Sequence, residues 1–406
     1  MKKYRFHYPG LVHVPVTERY MGCAFTQKIV KLTKMLLSLG HEVYIYGCEG
    51  SDVPCTEFIQ THTLADVRRE WGEGDNRFEL GYDWKHTQFK HDFNEVRTPT
   101  TLKFYGNCIS EINKRKQPDD FLLLAQGWYH KPVDDAVRLW LSVEPGIGYR
   151  GSYPGTPQQP HYRVFESTYM MHYTYGAENP SGGGPDGNYY DRVIPNYFDP
   201  KDFEFSAKKD DYYLYIGRMI YRKGVWTAVR ATEAIGAKLI LAGQIDKEID
   251  IHKLPKHCEF VGYVEPKERT EPMKKARAVF VPTFYLEPFA GTHVEAMLCG
   301  TPPITTNFGV FPDTVVNGRN GYRCDTFADF IKAAQDVVNL DPYVIRKYGE
   351  RFLMDNVRWE YQKLFNDLSN LYLATTGKLG EAYLRWGGWW HADGYYVDGS
   401  GSYHKA

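Results

Sequence analysis

No stretch of this 406-residue chain reaches about 18 consecutive apolar residues, which excludes a membrane-spanning helix. Charge of one sign is equally lacking. The 49 Lys and Arg against 50 Asp and Glu leave −1 at pH 7, so composition gives no reason to expect a general binder of nucleic acid or anionic membrane. Cysteine is sparse: the seven thiols include no Cys-x-x-Cys pair, which argues against a zinc site or disulfide frame and for scattered reduced thiols. The N-terminus runs Met1-Lys-Lys-Tyr-Arg-Phe6 and meets Pro9-Gly10 with no apolar signal region, so a cytoplasmic protein is expected. A Walker loop and a His-Glu-x-x-His pair are also absent.

What is abundant is aromatic: 16% of residues, 32 of them tyrosine. With 43% apolar and 24% charged residues the chain is globular, and its length suits two or three domains. Tyr4–Tyr8 reads as a strand. Phe25, Ile29, Leu32, Leu36 and Leu39 mark a helix closed by Gly40, and His41–Tyr46 is the next strand. Strands at Phe121–Ala125 and Leu139–Val143 continue a parallel α/β pattern. Residues 60–118 show no clear period, and 145–190, dense in Pro and Gly, read as loops around Val164–Tyr173. A second alternation starts near 210: strand Tyr212–Ile216, helix Val225–Ile235, strand Lys238–Leu241, a strand near Phe260, helix Glu268–Ala276 and strand Val279–Val281. The fold class predicted is therefore α/β, with two Rossmann-like domains facing across a cleft, 1–196 and 209–354.

The sequence Gly146-Ile-Gly148-Tyr-Arg-Gly151, with Glu166 twenty residues past Gly146, matches a dinucleotide fingerprint. Pro154, Pro157 and Pro160 forbid the helix that fingerprint needs, so it is set aside. A better signal follows the strand ending at Ile216. Gly217-Arg218 and Lys223-Gly224 put two cations at the carboxyl end of a parallel strand, where α/β sheets bind ligands and where a diphosphate could be neutralised. Two solvated surface cations would give the same letters. Downstream lies Glu287-Pro-Phe289-Ala290-Gly291-Thr292-His293-Val-Glu295, in which a strand exits into a turn and a helix begins near Thr292. Thr292-x-x-Glu295 is a capping box in form. The same geometry offers helix-end amides to a phosphate and two carboxylates to sugar hydroxyls.

Glu287-x7-Glu295, with Gly217-Arg218 and Lys223-Gly224 upstream, resembles the donor-binding half of retaining glycosyltransferases of the GT-B fold, family four. Val193-Ile-Pro-Asn196-Tyr-Phe-Asp199-Pro, Leu241-Ala-Gly243, Gly300-Thr-Pro-Pro-Ile304 and Gly318-Arg-Asn-Gly321 match in the family's order over about 193–325. Leu39-Gly-His-Glu-Val43 is similar to its first domain. The resemblance implies a C-terminal helix crossing back to the first domain, so that about 355–406 packs there. It implies catalytic roles for Glu287, Arg218 and Lys223. Donor contacts would come from Gly217, Arg218, Lys223, Glu287, Phe289, Ala290, Gly291, Thr292 and Glu295, with the diphosphate on Arg218 and Lys223, the ribose on Glu295 and the sugar on Glu287. It further implies a nucleotide-diphosphate sugar as co-substrate, transfer with retention, and no metal or other cofactor, which suits the missing Asp-x-Asp pair. A nucleotide-sugar 2-epimerase and a non-catalytic carbohydrate-binding relative share these features.

Acceptor-side expectations rest on the first domain. The family's usual histidine after its strand is replaced by Gln126-Gly-Trp128-Tyr-His130, so Gln126, Trp128 and His130 are candidates, together with His13, Glu144 and Glu166. Arg163, Glu166 and the tyrosines of 149–175 could line a polar cleft or pack loops. The acceptor could be a glycan, a lipid-linked sugar or a hydroxylated DNA base, the last favoured only by a basic face around Lys85, Lys90, Lys114, Arg115 and Lys116. Trp359, Tyr361, Leu364, Phe365, Leu368, Leu371 and Tyr372 form the predicted buried face of the last helix, and the tail 378–406 is rich in Trp and Tyr.

Overall fold

Short runs of Val, Ile, Leu, Phe and Tyr, apolar on both faces, can only be buried from both sides, and they build two parallel sheets covered by helices. The computed structural model describes residues 2–20, 23–71, 97–146, 161–178, 190–246, 249–265, 268–375, 395–397 and 403–405. The first half runs β1 (Arg5–Pro9), α1 (Ala24–Ser38), β2 (Glu42–Cys48), β3 (Glu57–His62), α2 (Leu64–Trp71), α3 (Pro99–Arg115), β4 (Phe121–Leu123), α4 (Lys131–Val137), β5 (Leu141–Pro145), β6 (His161–Phe165), α5 (Thr168–Glu178) and β7 (Arg192–Val193). Its strands lie in the order β3-β2-β1-β4-β5-β6-β7, with Phe6 flanked in register by Val43 and Phe121.

The second half runs β8 (Tyr213–Ile216), α6 (Val225–Ala234), β9 (Leu239–Ala242), β10 (Cys258–Phe260), α7 (Thr270–Lys275), β11 (Val279–Val281), α8 (Gly291–Leu298), β12 (Pro303–Thr306), α9 (Phe311–Thr314), β13 (Tyr322–Cys324), α10 (Phe327–Asp336), α11 (Pro342–Glu350) and α12 (Met354–Thr375). The sheet order is β10-β9-β8-β11-β12-β13. Each sheet reverses its winding beside its first strand, β1/β4 and β8/β11, and such switch points open crevices at the carboxyl ends of the strands. A separate antiparallel pair joins β14 (Tyr395–Val397) to β15 (Tyr403–Lys405).

Helix α12 belongs to the first domain's core although it follows the second domain. Phe365 packs 4.7 Å from Phe6 and 5.0 Å from Phe121, with Tyr361, Leu364 and Leu368 buried beside it. Polar bonds fix its register: Tyr4 Oη donates to Asn366 at 2.7 Å, and His41 Nε2 donates to Gln362 Oε1 at 2.9 Å while its Nδ1 accepts from the Tyr4 amide. Trp359 departs from the predicted buried face. It is 48% exposed, with Arg358 over its ring, because it points away from the sheet on the helix's outer side. The two interdomain passages are stitched together, since Phe198 N donates to Phe352 O and Met354 N to Phe198 O.

The region 60–118 hides a regular helix. Thr98 caps α3 by accepting from the Thr101 amide, and Pro99 fills its first turn. Thr-Pro was the readable start signal there; residues 72–96 lie outside the described residues. Within 145–190, the segment Val164–Tyr173 singled out among the loops is the end of β6 and the start of α5, and Ser167 Oγ accepts from Met170 N at the start of that helix. Residues 147–160 and 179–189, with Tyr149 and Tyr153, lie outside the described residues, as do Lys85, Lys90 and tail residues Trp386, Trp389 and Trp390.

Candidate functional site

A cleft of about 410 Å³ lies between the two sheets, lined by the carboxyl ends of β5, β6, β8 and β11, by α1 and by the start of α8. On the second-domain side, β8 ends at Gly217 and the chain turns through Tyr221–Lys223 into α6. Gly224 closes that turn at φ 73°, and a Cβ there would meet Pro282 O at 1.9 Å. Only glycine lets the turn press against the exit of β11. The consequence is an ion pair: Lys223 Nζ donates to Glu287 Oε1, which also accepts from Tyr285 Oη. Arg222 and Lys223 stack on the Tyr285 ring at 4.8 and 5.0 Å, and burial beside Glu287 pushes that phenol's pKa well up. Glu287 is a buried carboxylate, whereas Arg218 is exposed at the cleft.

Helix α8 begins without a side-chain cap, which overturns the capping-box expectation for Thr292 and Glu295. Its N-cap is Ala290 at φ 56°, and Glu295 stands one turn further in instead of folding back on the helix end. The Glu295 Oε2 atom is buried without a hydrogen bond, and Arg269 Nη1 approaches it at 3.8 Å. The left-handed turn is held from below: His293 Nδ1–H donates to Ala290 O at 2.6 Å, and its ring packs between Phe289 and Phe311. Burial lowers the His293 pKa to about 4. The leading amides of α8 thus face the cleft that Gly291 and Thr292 line, as an anion site requires.

All nine sequence-predicted donor-side residues, Gly217, Arg218, Lys223, Glu287, Phe289, Ala290, Gly291, Thr292 and Glu295, line this one cleft. The acceptor-side predictions fare differently. Glu166 is at the cleft, paired with Lys28 of α1. His13 and His130 are buried and line no part of it. His130 Nε2 donates to Gly10 O at 3.1 Å, so it braces the loop after β1, and burial lowers its pKa to about 4. Glu144 is buried against Gly127, and Gln126 is half-buried with its Oε1 enclosed; neither lines the cleft. The Trp128 side chain lies outside the described residues. Arg163 is a strut: it pairs with buried Asp191 at 2.9 Å, as does Tyr175 Oη.

Sequence reasoning missed Lys28 and Lys31 of α1, Arg269, and Gly146. At Gly146, φ 94°, a Cβ would lie 1.9 Å from Lys28 Nζ, so the glycine admits the lysine. Only the apolar stripe of α1 announces burial in the sequence, so nothing in it marks the two lysines as cleft residues. Lys114 and Arg115 pair with Glu111 and Glu57, and Lys116 donates to Val137 O, so these three form no free basic face. Among the described residues no cluster of His, Cys, Asp or Glu suits a metal ion, and no helix is long and apolar enough to cross a membrane.

Residues 199–349 match the family "Glycosyl transferases group 1". That match falls on the second domain. A glycogen synthase of Mycobacterium tuberculosis is 33% identical over 147 residues, 32% of this chain and 35% of the relative, so the chain spans about a third of the length of the curated relatives it matches. Among solved structures, sucrose-phosphate synthase from Thermosynechococcus elongatus has a TM-score of 0.59 at 17% identity, covering 93% of this chain and 100% of that one. HepE of Anabaena in complex with UDP-glucose has a TM-score of 0.57 at 12% identity, covering 90% and 99%. The fold is therefore GT-B over nearly the whole chain.

At the start of α8, Ala290 at φ 56° carries strain of about 1 kcal/mol relative to glycine. Ala290→Gly is expected to raise the midpoint of thermal denaturation, and Ala290→Val to lower it. A fall in both would show that the turn is held by contacts of the Ala290 methyl instead.

Proposed function

We propose that the chain moves a sugar from a nucleotide-diphosphate sugar to an acceptor hydroxyl with retention of configuration, without a metal ion. One observation carries this reading. Glu287, oriented by Lys223 and Tyr285, stands at the same cleft as the uncapped start of α8 and the unbonded Glu295 oxygen. Arg218, Lys223 and the α8 amides form a preorganised cationic site for the departing diphosphate. Glu295 accepts from the vicinal hydroxyls of the ribose, and Glu287 from hydroxyls of the transferred sugar. The bond from the anomeric carbon to the phosphate oxygen breaks, the acceptor oxygen bonds the same face, and its proton passes to the leaving phosphate. Residues 209–354 hold the donor, while 1–196 with α12 hold the acceptor, a glycan or a lipid-linked sugar. Closure of the walls keeps water from the sugar.

The test is a hydrolysis and transfer screen over uridine, guanosine and adenosine diphosphate sugars. One base should support turnover, and Arg218→Ala should raise the donor KM roughly 10- to 100-fold, the range for losing a bond to a charged group. Near-wild-type turnover in both Arg218→Ala and Glu295→Ala would sink the assignment. A donor epimerised in the absence of acceptor would identify a 2-epimerase instead.

A further inference from the structure

Lys31 sits in the second turn of α1, on the first-domain side of the cleft, and is only 7% exposed. Its ammonium donates to Gln27 Oε1 at 3.2 Å and lies 5.1 Å above the Phe198 ring. No described carboxylate forms an ion pair with it, although Glu295, Asp202 and Asp199 act on it from further away. Three other cations of the cleft are better matched, Lys28 with Glu166, Lys223 with Glu287 and Arg269 near Glu295, while Arg218 is exposed to water. A buried ammonium without a bonded counter-ion is costly, and an apolar side chain of the same length would pack there more stably. Burial accordingly draws the Lys31 pKa down.

Such a group is retained where an anion arrives to meet it. Of the acids around Lys31, Glu295 exerts the largest influence, and Glu295 stands on α8, whose leading amides open on the same cleft. We propose that Lys31 is a phosphate-binding residue supplied by the first domain to the nucleotide diphosphate held by the second. This inference rests on the donor reading given above. Its consequence is that tight donor binding needs both walls: the α8 amides and Arg218 on one side, Lys31 on the other. The first domain then takes part in holding the donor as well as the acceptor.

Calorimetric titration of the full chain with uridine, guanosine and adenosine diphosphates, each against its own nucleoside, tests this. Lys31→Met should weaken diphosphate binding roughly 10- to 100-fold and leave nucleoside binding within about twofold, since only the phosphates meet the ammonium. Lys31→Arg should restore most of the affinity. The melting temperature of Lys31→Met should equal or exceed the wild-type value, because a buried charge is removed. Diphosphate affinity within about twofold of wild type in Lys31→Met would overturn the assignment, as would an effect confined to the acceptor KM. If Arg218→Ala loses diphosphate binding while Lys31→Met keeps it, the donor reading stands and the Lys31 inference falls. Unchanged binding in both variants overturns the two together.

Discussion

Lys223→Met is expected to lower turnover with the cognate nucleotide sugar roughly 100- to 1,000-fold, the usual cost of removing one preorganised donor to a developing anion. Lys223 acts twice in the proposed reaction, as counter-charge for the diphosphate and as the partner that orients Glu287. Its loss leaves Glu287, 7% exposed, bonded to the Tyr285 hydroxyl alone among the side-chain partners described above. An uncompensated buried carboxylate destabilises the fold, here by about 2 kcal/mol, since the partially exposed lysine end leaves a path to water. The second variant, Lys223→Met with Glu287→Gln, separates the two effects. Thermal stability should return toward wild type because no charge is left unpaired, whereas turnover should stay low. Recovery of turnover in the double variant would show that Lys223 served only to neutralise Glu287.

Acidification to pH 5 is expected to destabilise both domains well before the carboxylates titrate. His62, His130 and His293 are at most 1% exposed, and burial lowers each pKa to about 4. Each ring N–H is already committed to a carbonyl: His62 Nε2 to Val12 O, His130 Nε2 to Gly10 O and His293 Nδ1 to Ala290 O. Unfolded histidine binds its proton near pH 6.5. Between that pH and about 4 the unfolded chain holds more protons than the folded one, so stability falls as the pH falls. At pH 5 the loss is about 2 kcal/mol for each group, rising to about 3 kcal/mol each below pH 4. Two of these histidines belong to the first domain and one to the second, so denaturant unfolding at pH 5 should show the first domain weakened more. His293→Phe should remove the second domain's share. Identical midpoints at pH 7 and pH 5 would contradict this account.

The second domain's side of the cleft was legible because it is local. Strand, turn and helix follow one another within Tyr213–Ala234 and again within Val279–Leu298, so residue spacing alone brings Arg218 and Lys223, and Glu287 and Glu295, to the ends of adjacent strands β8 and β11. The capping box failed for an equally physical reason. The helix starts one residue before Thr292, at Gly291, so the threonine hydroxyl is inside the first turn and Glu295 is released from the helix end. Histidines were poor guides, since a buried neutral ring that braces a carbonyl and a catalytic ring have the same letter.

By itself the sequence determined two α/β halves, the order of their motifs and most of the second half's charged cleft residues, Arg269 excepted, because hydrophobic period and turn chemistry act over a few neighbouring positions. Tertiary structure alone decided which first-domain residues meet them. Lys28 and Lys31 come from a helix some 200 residues upstream of the second domain's cleft residues, and α12 returns past the second domain to seal the first core. Those juxtapositions depend on how two sheets face each other, and no local pattern in the chain encodes that.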